Sequence, residues 1–130
     1  MKKISIVLSL ILAITASSFI IHMQQQEDTL RHVVVFKYKE DASDADIKKV
    51  TDAFRDLQNT IPGIVSFEHG INNSPEGKNM GFTHVYTLTF EDAAARDTYL
   101  PHPEHKKFGE LLGSLGVLED AFVVDYHPMD

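Results

Sequence analysis

The chain's 130 residues suffice for one domain with a modest core. It contains no cysteine, which removes disulfides, thiolate nucleophiles and sulfur-ligated zinc from consideration. The formal charge is −7, and −9 once Lys2 and Lys3 are set aside, which argues against a nucleic-acid partner because phosphate binding depends on neutralisation by Lys and Arg.

At the N-terminus, MKK precedes an uncharged, mainly apolar run to Ile21. The basic start, the apolar stretch and the small residues 16–18 have the form of a secretory signal peptide over residues 1–22. The segment 4–21 also approaches the ~20 apolar residues that span a bilayer, so an uncleaved membrane anchor is the alternative. Either way the domain is expected outside the cytoplasm, periplasmic or secreted, with membrane contact only through this segment. Residues 23–29 read as a polar linker and residues 30–130 as one domain without repeats.

RHVVVFKYK is β-branched and aromatic without a breaker, which predicts a strand. His32, Val34, Phe36 and Tyr38 share one face; Val33, Val35 and Lys37 share the other. Both faces are largely apolar, which implies cover on both sides. A helix follows, capped by Ser43 or Asp44, with Ile47, Val50, Phe54 and Leu57 at helical spacing and Pro62–Gly63 as its stop. IVSFEHGIN is a second strand and NSPEGKNMG a polar loop. FTHVYTLTFE is a third strand, with Phe82, His84, Tyr86 and Leu88 opposite Val85 and Thr87. DAAARDTYL and HPEHKKFGELLGSL are helices, the second with Pro103 in its first turn. VLEDAFVVDYHP is the last strand. The order β-α-β-β-α-β predicts an α+β, ferredoxin-like fold with a four-stranded antiparallel sheet and helices on one face. Val33, Val35 and Val85 on the other face predict a homodimer closed as an α/β barrel.

Six histidines follow residue 30: His32, His69, His84, His102, His105 and His127. His32 and His84 sit on otherwise apolar strand faces, where a histidine satisfied by one hydrogen bond is the ordinary reading. His69 and His127 fall near strand ends and read as surface residues. His102 and His105, with His32 or His84, could supply nitrogen ligands, but no HExxH spacing supports a metal site. Neither a GxSxG turn nor a glycine-rich phosphate loop is present.

LRHVVVFKYKEDAS, IPGI, FTHVYTLTFED and TYLPHPEHKKFGELL, in this order, resemble the stress-responsive dimeric α/β-barrel (Dabb) domain across residues 30–128. The resemblance implies the fold, the dimer and a pocket between sheet and helices. A plant polyketide cyclase of that family performs an intramolecular aldol condensation, and its catalytic tyrosine and histidine match Tyr99 and His105 of the YxxHPxH segment. Its first-strand histidine matches His32 and a third-strand histidine matches His84. The apolar pocket positions match Val34, Phe36, Val50, Phe54, Tyr86, Phe108 and Leu111. Phe54 stands where that enzyme has a tyrosine, which argues against an identical substrate.

The residue chemistry fits this carry-over. An imidazole can take a proton alpha to a carbonyl at neutral pH, and a phenol can donate to the developing enolate oxygen. Neither role needs a metal or cofactor. The expected ligand is small, apolar, and aromatic or carbonyl-bearing. Two other readings stand beside this one: a haem-using or cofactor-free monooxygenase, as in related dimeric barrels, and a structural stress-response dimer in which Tyr99, His102 and His105 serve packing and backbone hydrogen bonds. A cavity of roughly 300 Å3 or more beside His32, Tyr99 and His105 favours the ligand-binding reading.

Overall fold

The computed structural model describes residues 29–129. The expected leader and, Thr29 apart, the linker lie outside the described residues. The elements are β1 (Leu30–Tyr38), α1 (Asp44–Thr60), β2 (Ile64–Ile71), β3 (His84–Phe90), α2 (Ala93–Tyr99), α3 (Pro103–Leu115) and β4 (Leu118–Tyr126). No helix among the described residues is long and apolar enough to cross a membrane.

Local chemistry sets the helix ends. Ser43 caps α1, its Oγ accepting from the Asp46 amide at 3.1 Å, while Asp44 and Asp46 meet the positive end of the helix dipole. Beyond the α1 C-cap, Gly63 adopts φ +88°, and a Cβ there would come within 2.6 Å of Ala95 Cβ on α2. Glycine is therefore required twice over, by backbone conformation and by close helix approach.

The strands run in the order β2-β3-β1-β4, all neighbours antiparallel. This is the ferredoxin-like arrangement expected from the element order. Central β1 sets Val34 opposite Tyr86 on one side and Val123 on the other. Phe36, Tyr86, Leu88 and Phe90 on the helix-side face meet Val50, Phe54 and Leu57 of α1, Tyr99 of α2 and Phe108 of α3 in one buried core. The Phe54 ring stacks on Phe108 at 4.6 Å between centroids and on Phe36 at 6.2 Å.

Among the described residues, no helix lies over the opposite sheet face. Phe122, Val124 and Tyr126 of β4 remain 43, 49 and 49 % exposed there, beside Val33, Val35 and Val85. Truncating Phe54 to alanine should remove about 3–5 kcal/mol, a large part of the ~5–15 kcal/mol typical of a domain. Urea unfolding of Phe54→Ala should show a sharply lowered midpoint.

Candidate functional site: a cleft between β1, β4 and the last two helices

The site grows from a break in the helical layer. α2 ends at Tyr99, and α3 begins at Pro103. Pro101 and Pro103 lack amide donors and restrict the residues before them, so one continuous helix is disfavoured here. His102 occupies the N-cap of α3, its Nδ1 accepting from the Glu104 amide at 3.2 Å. That use holds the His102 ring at the backbone. One turn into α3, His105 Nδ1–H donates back to the Leu100 carbonyl at 3.0 Å. A carbonyl can only accept, so Nδ1 carries a proton, and in the neutral ring the lone pair is on Nε2. The His105 ring lies against the Tyr99 ring at 4.2 Å.

Tyr99, Leu100 and His105 wall a cleft of about 470 Å3 whose other sides include β1 and β4. His32, Val34, Phe36, Phe54, Tyr99, His105 and Phe108, all singled out from the sequence, line it. The cleft opens along β4, where Val123 in its wall is still 53 % exposed.

Four expected lining residues, Tyr86, His84, Val50 and Leu111, are placed elsewhere. Tyr86 lies beneath α1, and its hydroxyl meets Thr51 Oγ1 at 2.9 Å and the Tyr38 hydroxyl at 3.0 Å. His84 sits at the far end of β3, its Nδ1 at 2.9 Å from Thr83 Oγ1 and its ring edge-on to Tyr38. Both belong to the β3 side of the sheet, whereas the cleft lies over β1 and β4. Val50 is wholly buried in the core, and Leu111 faces a shallow groove between α1 and α3. His69 is exposed and bonded to Arg55; exposed His127 bonds the Thr29 carbonyl.

β4 supplies a group that sequence reasoning missed. Asp125 pairs with His32 in register, and His32 Nδ1–H donates to its Oδ1 at 2.6 Å. Arg96 of α2 bonds the other carboxylate oxygen and also donates from Nε to Asp97 at 2.8 Å. The signal was present in AFVVDY: Ala121, Val123 and Asp125 share one face by alternation, and all three line the cleft. Only the β1–β4 register shows which face it is.

Two groups in the cleft have displaced pKa values. Burial lowers the His32 pKa, against the opposing pull of Asp125. Burial pushes the Tyr99 phenol well above its ordinary value, and the Asp125 charge adds to the shift. Tyr99 is fully buried, and its hydroxyl has no hydrogen-bond partner among the described residues. Such a donor costs ~1–3 kcal/mol when left unpaired. The cleft thus presents an orphan hydroxyl donor beside an imidazole lone pair, in apolar surroundings. No group of three or more His, Asp or Glu side chains suited to a metal ion occurs among the described residues.

The family model described as Stress Responsive A/B Barrel Domain matches residues 30–128. Stress-response A/B barrel domain-containing protein HS1 of Arabidopsis thaliana is 30 % identical, the match covering 82 % of this chain and 95 % of that protein. Olivetolic acid cyclase of Cannabis sativa is 28 % identical, over 76 % of this chain and 96 % of the enzyme. Among solved structures, hydroxynitrile lyase from Passiflora edulis superposes with a TM-score of 0.72 at 25 % identity, covering 80 % of this chain and 96 % of the lyase. A dimeric ferredoxin-like protein from Jannaschia gives 0.65 at 27 % identity, covering 77 % of this chain and 99 % of that protein.

The buried imidazole predicts an acid-sensitive fold. Folded His32 lies below the ordinary value of 6.5, so the unfolded chain takes up the proton first as pH falls. The stability that depends on neutral His32 is complete above 6.5 and is lost progressively below it, as far as the folded pKa. His84, lowered by burial, acts in the same direction. Calorimetry from pH 7.5 to 5 should show a falling Tm, with a shallower fall in His32→Gln.

Proposed function

The chain belongs to the stress-responsive A/B barrel domain family, and on that premise we propose that it binds a small apolar carbonyl compound in the cleft and catalyses cofactor-independent proton transfer on it. The observation that carries the reading is the buried, unpartnered Tyr99 hydroxyl beside His105 in a cleft of about 470 Å3. A ligand carbonyl oxygen would accept from Tyr99 and relieve the orphan donor. His105 Nε2 would remove a proton from the carbon next to that carbonyl, and the electron pair would move onto the oxygen held by Tyr99. His105 would then return the proton to that carbon as the electron pair moves back from the oxygen. His32, held by Asp125, would orient the ligand from the sheet side. A cyclase and a hydroxynitrile lyase among the relatives support a small-molecule barrel.

The test is hydrogen–deuterium exchange of the acetyl protons of 4-hydroxyacetophenone in D2O, followed by NMR. The protein should accelerate exchange, and His105→Ala should reduce the acceleration by about 100-fold or more, the usual contribution of a positioned base. Exchange no faster than in buffer would overturn the reading. Tyr99→Phe should weaken ligand binding while leaving the ligand-free fold as stable or up to about 1 kcal/mol more stable, because a buried unpaired donor is removed. Thermal melts with and without the ketone separate the two effects.

The working unit in this proposal is a homodimer, its two uncovered sheet faces packed together. The exposed apolar side chains on β4 and the dimeric structural neighbours support it. Light scattering of the domain at micromolar concentration should give twice the monomer mass. We further propose that the domain acts outside the cytoplasm; cell fractionation with N-terminal sequencing should find it there, cut near residues 16–18 or retained in the membrane.

A further inference from the structure

We propose that Asp125 makes the cleft selective for uncharged ligands, so that neutral carbonyl compounds enter and carboxylates are refused. This inference rests on the cleft being the ligand site. Asp125 lies in the cleft wall, and among the described residues no lysine or arginine does. Arg96 pairs with Asp125 but is shared with Asp97, which leaves one net negative charge across the three groups. Burial keeps His32 from supplying a compensating positive charge at neutral pH. His105 gives its Nδ1 proton to Leu100, so as a neutral imidazole it offers a ligand only a lone pair. An entering carboxylate would lose its water among Val34, Phe36 and Phe108 and meet a like charge without a partner. A neutral ketone or aldehyde loses far less hydration, and its oxygen finds the Tyr99 hydroxyl.

Calorimetric titration of the purified protein at pH 7.5 tests this with three probes of similar size: 4-hydroxyacetophenone, 4-hydroxybenzamide and 4-hydroxybenzoate. The two neutral probes should bind about tenfold or more tighter than the benzoate, as expected for a like charge nearby in a partly screened site. In Asp125→Asn the preference should shrink several-fold, mainly through tighter benzoate binding. An unchanged ratio in that variant would assign the selectivity to apolar desolvation alone and overturn the role of Asp125. Benzoate binding as tightly as the neutral probes in the unaltered protein would overturn the inference while the cleft remains a ligand site, and this comparison stands even if Asp125→Asn does not fold. Failure of all three probes to bind would remove both this inference and the functional reading beneath it.

Discussion

Everything else in the domain depends on the period-two alternation of its central strand. β1 is bonded to β3 on one edge and β4 on the other, so it has no free backbone edge and two faces to bury. His32, Val34 and Phe36 build the cleft and core on one face, and Val33 and Val35 build the apolar outer surface on the other. A slip of one residue would exchange the two sets, placing a histidine on the outer surface and a valine at the head of the cleft. Site and apolar outer face are thus two consequences of one register.

The helical layer contributes through its interruption. Had α2 and α3 formed one straight helix, Tyr99 and His105 would lie six residues apart, about 240° around the axis by helical geometry. The bend at residues 100–102 brings their rings to 4.2 Å instead. Two prolines, the His102 cap and the His105–Leu100 hydrogen bond all support that bend. The same bond that stabilises the turn selects the His105 tautomer, so local folding and proton chemistry are coupled in one contact.

Polar groups within an apolar cleft must be satisfied or must cost free energy. His32, Asp125 and Arg96 satisfy one another in a chain running from β1 through β4 to α2. Tyr99 does not, and its orphan hydroxyl marks where free energy is available to a ligand. Tyr86 makes the contrast plain: on the same sheet face, its hydroxyl is held by Thr51 and Tyr38, and it belongs to the core.

Alternation in RHVVVFKYK and FTHVYTLTFE, the 3.6-residue stripe from Val50 to Leu57 and the stops at Pro62–Gly63 made the elements and their order legible in the amino-acid sequence, because those signals are local. The YxxHPxH segment likewise marked Tyr99 and His105. Partnership was not local. Asp125 is 93 residues from His32, and no spacing along the chain announces their hydrogen bond; antiparallel pairing of β4 with β1 creates it. Tyr86 and His84 carry the same alternation as His32 and Val34, yet they fall outside the cleft because β3 runs beneath α1 while the bend opens space over β1 and β4. Which polar group is satisfied and which is left unpaired was decided by tertiary structure alone, since a hydrogen bond needs two groups within about 3 Å and only folding sets that distance.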